Sequence, residues 1–207
     1  MFLKKNKPKG SLEVICGSMF SGKSEELIRR LKRSQIAKQN TLAFKHNLDD
    51  RKTIEYVISH SGNKIKAFAV DTVKLILDLT PPEIEVIGID EVQFFSMDII
   101  PVVLKLVSMG KKVIIAGLDL DFRGIPFGPI PALLAIADKI TKLNAICVRC
   151  GAEAQHTQRL IDGIPAKFHD PIVLVGAEEC YEARCRNCYS IDIHDFIEKY
   201  EQKQNSI

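Results

Sequence analysis

The chain has 207 residues, 46% of them hydrophobic and 27% charged, with 29 lysines and arginines against 26 aspartates and glutamates. This composition excludes a disordered chain, and a net charge of +3 does not favour a nucleic-acid binder. No run approaches the roughly 18 apolar residues of a membrane span, and no apolar segment of signal-peptide length follows the basic N-terminus. We therefore expect a globular, cytoplasmic protein that binds neither membranes nor nucleic acid.

Apolar periodicity predicts the elements of the first half of the chain. Residues 11–16 form a short apolar run typical of a buried strand, and a helix follows from about residue 24 to 39. The basic run at 29–33 is expected on a solvated face of that helix. Residues 41–45 predict a second strand, whereas 47–62 are polar enough for a long loop.

The same reading continues toward the C-terminus. A strand at 66–70 leads to a helix at 71–79 capped by Asp71, and a strong β-branched strand occupies 84–89. Ser96 is predicted to cap a helix that runs to Met109. The remaining elements are a strand at 113–116, a helix at 131–137 and a strand at 139–147. Alternating strands and helices predict an α/β fold with a mostly parallel sheet covered on both faces.

The C-terminal third does not follow this alternation. Short extended pieces such as 172–175 are separated by Gly and Pro. We predict a nucleotide-binding domain at 11–143 and a small second domain at 144–193, with flexible tails at 1–10 and 194–207.

Residues 17–24 read GSMFSGKS and match the phosphate-loop pattern G-x-x-x-x-G-K-[ST] at every fixed position. The segment lies between an apolar strand and a helix, where backbone N–H groups can surround a phosphate. Lys23 would bridge the terminal phosphates of a nucleotide, and the Ser24 hydroxyl would ligate Mg²⁺. The predicted phosphate-binding residues are Gly17, Ser18, Met19, Phe20, Ser21, Gly22, Lys23 and Ser24. The first domain is thus predicted to be a sheet of the P-loop NTPase type flanked by helices.

Two carboxylates close the strongest predicted strand. Asp90 follows the run Val-Ile-Gly-Ile and would reach the magnesium ion, mainly through water. Glu91 is then free to act as a base. It could take a proton from water, which would make a hydrolase, or from a substrate hydroxyl, which would make a kinase.

Four of the six cysteines form two C-x-x-C pairs, Cys147 with Cys150 and Cys185 with Cys188. Two such pairs supply the ligands of a closed structural zinc site, which would anchor both ends of a long excursion, a lasso. A redox dithiol would need only one pair. Cys16 is interpreted as a core residue, while Cys180 is a rival ligand by sequence distance alone.

Three histidines, His60, His156 and His169, lie in polar stretches, and we expect their side chains to be exposed rather than to act as ligands.

Taken together, these motifs resemble the type II thymidine kinases, the cytosolic-type enzymes. The similarity covers residues 12–193 and is carried by the phosphate loop and by several short segments in the same order. Those segments are DDR at 49–51, IDEVQFF at 89–95, GLD at 117–119, PFG at 126–128, KLNAIC at 142–147 and YEARC at 181–185.

The resemblance implies roles for particular residues. Glu91 is the base that deprotonates the nucleoside 5′-hydroxyl, Arg51 and Gln93 lie with the phosphate-binding residues, and Asp49 is near the substrate. Thymine is held between aromatic and aliphatic side chains, and its polar edge is read by the main chain of the lasso. The substrate-binding positions implied are Met19, Asp49, Phe94, Leu118, Phe122, Phe127, Thr157, Ile172, Val173, Leu174, Val175, Gly176 and Tyr181.

The resemblance also implies the reaction and its setting. ATP would phosphorylate the 5′-hydroxyl of thymidine, and of deoxyuridine, with Mg²⁺ and a structural Zn²⁺, in nucleotide salvage. Members are commonly homotetramers inhibited by thymidine triphosphate. The chain departs from the family at Ser18, where many members have Pro, and at Cys180, where a polar residue is more usual.

Two rival interpretations stay open at this point. One is a P-loop ATPase whose zinc-bearing segment holds nucleic acid, and the other is a non-enzymatic zinc-ribbon adaptor. The first predicts hydrolysis of ATP stimulated by nucleic acid, and the second predicts function that survives loss of Lys23.

Overall fold

The computed structural model describes residues 10–47, 54–58, 62–172 and 180–191. Seven strands form a central sheet in the order β3-β4-β2-β5-β6-β1-β7, in which only the pairing of β3 with β4 is antiparallel. These strands are β1 (Ser11–Gly17), β2 (Thr41–His46), β3 (Ile54–Ile58), β4 (Lys64–Val70), β5 (Val86–Asp90), β6 (Lys112–Gly117) and β7 (Lys139–Leu143). Its helices are α1 (Lys23–Ile36), α2 (Val73–Asp78), α3 (Ile99–Ser108) and α4 (Ile130–Ile136), with a 3₁₀ turn at Val92–Phe94.

Five short strands follow the large sheet. They are β8 (Ala145–Ile146), β9 (Glu153–Ala154), β10 (His156–Ile161), β11 (Ile164–Pro165) and β12 (Cys180–Arg184). β8 pairs with β9, and β10 lies between β11 and β12 in an antiparallel sheet. We call residues 144–172 and 180–191 the C-terminal unit.

Each face of the large sheet has its own apolar cluster, because successive strand residues point to opposite faces. Ile15 packs with Leu27 and Leu31 of α1 on one face. Val14 packs with residues of α3 and α4, such as Leu106 and Leu133, on the other. The prediction of a mostly parallel sheet with helices on both faces is confirmed.

Two predicted helix starts were wrong. α2 begins at Val73 after Thr72, whose backbone is extended, so Asp71 is not its cap. α3 begins at Ile99, and the Ser96 hydroxyl donates to the Asp98 carboxylate at 3.1 Å instead of capping the helix. A polar residue ahead of an apolar run marks a helix start only to within a turn.

Two strand predictions also need correction. The segment 47–62 is not wholly a loop, because it contains β3, an edge strand whose polar flanks hide it in the sequence. The strand predicted at 139–147 is two strands, since β7 pairs with β1 whereas β8 pairs with β9. The chain therefore leaves the large sheet at residue 144, next to the predicted domain boundary, which itself stays a prediction.

The described helices include none that is both long enough and apolar enough to cross a membrane.

Arg30 ties α1 to the sheet, although the basic run containing it was expected on a solvated face. Its side chain is buried, and its guanidinium donates to Glu26 at 2.8 Å, to Glu13 of β1 at 2.6 Å and to Thr141 of β7 at 2.8 Å. Lys112 of β6 also pairs with Glu13, at 2.7 Å. This network fixes the orientation of the helix that follows the phosphate loop.

The same network predicts how stability depends on pH. Hydrogen bonds from Arg29 and Arg30 lower the pKa of Glu26 to about 2 from an ordinary 4.5. Burial raises the pKa of Glu13, but Lys112 and Arg30 outweigh it and the net change is downward. Carboxyls with depressed pKa values stabilise the fold above their unfolded-state pKa and lose that contribution as the pH falls toward the folded value.

We therefore expect the free energy of unfolding, measured with urea, to fall as the pH drops from about 4.5 toward 2. Glu26→Gln should lower the free energy of unfolding at neutral pH by about 1 kcal/mol. It should also make that free energy less dependent on pH in the acid range. Glu83→Gln, at an exposed position, is the matched control. If the free energy of unfolding falls equally steeply with acid in the parent and in Glu26→Gln, this account is contradicted.

Candidate active site

The phosphate-loop segment connects the end of β1 to the start of α1. Gly17 has a φ of +144°, and a Cβ atom there would lie 2.1 Å from the Leu143 carbonyl oxygen. Only glycine allows the backbone to pass so close to the end of β7. Glu25 and Glu26 lie in the first turn of α1, where the helix dipole favours negative charge. The loop therefore ends on a helix N-terminus, the usual place for a phosphate.

Inside the loop, one carbonyl oxygen gathers two donors. The Ser18 carbonyl accepts from the Ser21 hydroxyl at 2.8 Å and from the Lys23 ammonium at 2.7 Å. Phe20, by contrast, is exposed and has a φ of +64°. Burial lowers the pKa of Lys23, and the nearby carboxylates of Glu91, Asp90 and Asp119 oppose that change. The charged form of Lys23 is thus stabilised by three acidic side chains.

Ser24 and Asp90, the two residues predicted to reach a magnesium ion, are in contact where α1 begins and β5 ends. The Ser24 hydroxyl donates to Asp90 Oδ2 at 2.9 Å, and the Glu91 backbone N–H donates to Asp90 Oδ1 at 3.0 Å. Burial and the charge on Glu91 raise the pKa of Asp90 to about 7, against the Ser24 hydrogen bond. A hydroxyl and a carboxylate are oxygen ligands that suit a hard divalent cation, so this donor set fits Mg²⁺.

Glu91 is held by its neighbour Gln93 in a strained backbone conformation. Its φ is +54°, which is uncommon outside glycine and tends to occur at functional sites. Gln93 donates from Nε2 to Glu91 Oε2 at 2.5 Å and accepts at Oε1 from the Leu118 backbone N–H at 3.0 Å. The amide thereby links the carboxylate to the loop after β6.

Gly128 allows the loop that contains it to pack closely against Gln93. It has a φ of +52°, and a Cβ atom there would lie 2.3 Å from the Gln93 carbonyl oxygen. Phe127, just before it, meets Phe94 edge to face with ring centroids 5.5 Å apart. His46, at the end of β2, lies on the other side of Phe94 with centroids 6.0 Å apart. Phe94 and Phe127, both implied by the resemblance to bind the substrate, thus pack against each other in the segments that adjoin Gln93 and Gly128.

Phe122 is instead a buried residue, only 4% exposed. Its carbonyl oxygen accepts from the Tyr189 hydroxyl at 2.7 Å, and the fully buried Arg159 lies over its ring at 5.3 Å. Arg159 also donates to the Pro171 carbonyl and pairs across β10 and β12 with Tyr181. Phe122 is therefore one of the places where the loops of the large sheet contact the C-terminal unit.

The C-terminal unit also contacts the phosphate loop directly. The Ser18 hydroxyl donates to the Ala154 carbonyl oxygen at 3.1 Å, and the Met19 backbone N–H donates to the Thr157 hydroxyl at 3.0 Å. Ser18, Ala154 and Thr157 are all buried. Sequence reasoning placed Met19 and Thr157 near the substrate but found no hydrogen bond between them, because they are 138 residues apart.

The four paired cysteines converge at the base of the C-terminal unit. Their sulfur atoms all lie within 4.8 Å of one another, and Cys150 and Cys185 are 3.5 Å apart. Tetrahedral zinc with Zn–S bonds of about 2.3 Å needs sulfur separations of about 3.8 Å, so the cluster fits the metal. Cys147, Cys150, Cys185 and Cys188 could hold a zinc ion. Cys16 is a buried core residue, as predicted.

Sequence reasoning assigned no role to Asp119 or Lys142, which lie at the same end of the sheet. Their side chains form an ion pair at 2.8 Å, and Asp119 is buried while Lys142 is exposed. Both lie in segments quoted for the family resemblance, but charges so far apart in sequence gave no reason to pair them.

Some predicted residues lie outside the described part of the chain. These are Asp49, Arg51, Val173, Leu174, Val175 and Gly176, together with the side chain of Cys180 and with His60. Ile172 is exposed at the edge of that gap.

The histidine predictions divide. His169 is exposed as expected, but His156 is only 6% exposed and stacks on Tyr189 with centroids 4.6 Å apart. The polar sequence around His156 was misleading, because β10 is the middle strand of its small sheet.

Comparison with protein families identifies this region of the chain. A family model described as thymidine kinase matches residues 10–189. It spans the phosphate loop, the carboxylate pair and all four clustered cysteines.

Proposed function

We propose a specific reaction for this chain, which belongs to the thymidine kinase family and is a thymidine kinase. ATP transfers its γ-phosphoryl group to the 5′-hydroxyl of thymidine, and also of deoxyuridine, giving the nucleoside monophosphate and ADP. The observation that carries the proposal is the contact between Ser24 and Asp90, 2.9 Å apart, with Glu91 as the next residue. It brings phosphate-binding, metal-binding and proton-accepting groups to one end of the sheet.

The phosphate loop binds the polyphosphate of ATP in this scheme. Backbone N–H groups of residues 17–24, other than that of Met19, which donates to Thr157, bind the phosphates together with the N-terminus of α1. Lys23 neutralises charge on the terminal phosphates. Ser24 and Asp90 would hold Mg²⁺, which when bound neutralises charge on the β- and γ-phosphates. We place Arg51 and Gln93 with the phosphate-binding residues.

Glu91 is the base of the transfer. Its carboxylate takes the proton of the 5′-hydroxyl as that oxygen forms a bond to the γ-phosphorus, and the bond from the γ-phosphorus to the β–γ bridging oxygen breaks. Gln93 supports this assignment, because its amide donates to one carboxylate oxygen and leaves the other available. Lys23 stabilises the charge that develops on the phosphoryl oxygens.

Thymine lies between the phosphate loop and the C-terminal unit. The edge-to-face pair Phe94 and Phe127 supports an apolar wall there. The polar edge of the base is read by main-chain groups of the lasso, residues 172–176. We propose the following substrate-binding set: Met19, Asp49, Phe94, Leu118, Phe122, Phe127, Thr157, Ile172, Val173, Leu174, Val175, Gly176 and Tyr181.

We also propose the setting of the enzyme. It acts in thymidine salvage in the cytoplasm as a homotetramer, with thymidine triphosphate as feedback inhibitor. Its domains are residues 11–143 and the zinc-containing lasso at 144–193. These statements follow from the resemblance of the chain to cytosolic-type enzymes.

Product analysis tests the reaction. Zinc-loaded protein is incubated with Mg-ATP and thymidine, deoxyuridine or deoxycytidine, and nucleoside monophosphate and ADP are measured separately. We expect thymidine monophosphate equimolar with ADP, and at least about tenfold less product from deoxycytidine, whose amino group replaces an acceptor of thymine. ADP without nucleotide product would overturn the proposal and favour a nucleic-acid-stimulated ATPase.

A further inference from the structure

The peptide group between Ser18 and Met19 is held from two sides. Its carbonyl oxygen accepts from Lys23 Nζ at 2.7 Å and from the Ser21 hydroxyl at 2.8 Å. Its N–H points the opposite way and donates to the Thr157 hydroxyl at 3.0 Å. Because a peptide group is planar, fixing its N–H also fixes the direction of its carbonyl. Thr157 thus orients the Ser18 carbonyl oxygen, which accepts the hydrogen bond from Lys23.

A second hydrogen bond holds the same place. The Ser18 hydroxyl donates to the Ala154 carbonyl oxygen at 3.1 Å. Ser18 is 2% exposed, Thr157 is 3% exposed and Ala154 is fully buried. Water does not compete for these bonds, so losing either would leave a buried polar group without its partner.

Both acceptors belong to strands that begin at the cysteine cluster. Ala154 lies on β9. This strand pairs with β8, which ends directly before Cys147. The Cys147 N–H donates back to the Ala152 carbonyl at 2.8 Å, closing the turn between the two strands. Thr157 lies on β10, opposite Ala183 of β12, two residues before Cys185. Only a few residues therefore separate the cysteine cluster from Ala154 and Thr157. If the cluster became disordered, the hydrogen bonds of these two residues to the phosphate loop would be disturbed as well.

We propose that the Ser18–Met19 peptide group couples the C-terminal unit, which contains the cysteine cluster, to phosphate binding. Ser18 and Thr157 act as positioning residues for Lys23. The inference rests on the phosphate-binding role proposed above. Its consequence is reciprocal, because any influence of the C-terminal unit on nucleotide affinity requires an equal influence of nucleotide on the C-terminal unit. Nucleotide should stabilise β9 and β10 although it binds at the loop.

Hydrogen exchange of the zinc-loaded protein tests this, with and without magnesium and a non-hydrolysable ATP analogue and in the absence of nucleoside. In the parent chain we expect the analogue to slow exchange of the phosphate loop and also of residues 153–161, each by about threefold or more. Ser18→Ala and Thr157→Val should bind the analogue more weakly; at saturating analogue they should still protect the loop but lose most of the protection at 153–161. Thr157→Ser, which retains the hydroxyl, should restore it.

Ser108→Ala is the matched control, because its hydroxyl also donates to a backbone carbonyl, at 2.7 Å, but within α3. It should behave like the parent. Protection of 153–161 that is unchanged in both Ser18→Ala and Thr157→Val would overturn the inference. If the analogue fails to protect the loop in the parent chain, the proposed phosphate-binding role itself is wrong, so the two failures are distinguishable.

Zinc release supplies a measurement that needs no variant. A chelator in excess removes zinc from the parent protein, and the rate is followed with a zinc indicator. We expect the ATP analogue to slow release by about threefold or more, because the C-terminal unit opens less often when its contacts with the loop are stabilised. A rate that does not change with saturating analogue would contradict the coupling.

Discussion

Replacing Glu91 with glutamine should lower kcat for thymidine phosphorylation by a factor on the order of 10² to 10⁴ while thymidine and ATP still bind. The substitution preserves shape, and the new amide can still accept the hydrogen bond that Gln93 donates to Glu91 at 2.5 Å. What it removes is the ability to take a proton. Since a sugar hydroxyl is a poor nucleophile, the loss should fall on turnover rather than on binding.

Steady-state kinetics, with nucleoside binding measured by calorimetry, would check this expectation. Glu83→Gln changes an exposed carboxylate outside the site and should leave kcat unaltered. A Glu91→Gln enzyme that turns over within about threefold of the parent would show that Glu91 is not the base.

Replacing Cys147 with serine should abolish stoichiometric zinc binding and disorder the C-terminal unit. Zinc in four-cysteine sites contributes an apparent binding free energy of about 10 to 16 kcal/mol, comparable with the whole stability of an ordinary domain. In the part of the chain that the structure describes, the apolar cluster that includes these cysteines is built from small residues such as Ala145, Ala154 and Ala183. It therefore cannot replace the metal, and we expect activity to fall by about a hundredfold or more.

Metal analysis of purified variants, together with near-ultraviolet circular dichroism, would measure this effect. Cys16→Ala, in the core of the large sheet, should retain the zinc content of the parent. Cys180→Ala should do the same, since the two C-x-x-C pairs already supply four clustered sulfurs among the side chains that the structure describes. Full zinc content in Cys147→Ser combined with its loss in Cys180→Ala would identify Cys180 as a ligand instead.

The parts of the site that could be predicted from sequence depend on local geometry. The phosphate loop is one continuous segment whose glycines and lysine have fixed spacing, and Asp90 and Glu91 directly follow a run of apolar β-branched residues. Their meeting follows from the rule that parallel strands end at one edge. The cysteine cluster was also predictable, because paired thiolates at short spacing have few other uses in a chain of this kind.

What could not be predicted depends on contacts between distant segments. The bonds from Ser18 to Ala154 and from Met19 to Thr157 join a loop to strands more than a hundred residues away. The burial of Arg30 depends on partners from two different strands. Charge and polarity in the sequence describe a residue's chemistry but not which distant group will bind it. The basic run containing Arg30 was therefore expected on a solvated face, and the contacts of Ser18 and Met19 with the C-terminal unit were not foreseen.

The position of β1 in the sheet has a consequence for the order in which the protein can acquire its structure during synthesis. β1 carries the phosphate loop, yet its neighbours on the two sides are β6, residues 112–117, and β7, residues 139–143. A ribosome that has released the chain only as far as residue 100 has released the loop without either strand that supports it. The nucleotide site therefore cannot form as soon as β1 and α1 emerge, and must wait until residues 112–143 have followed.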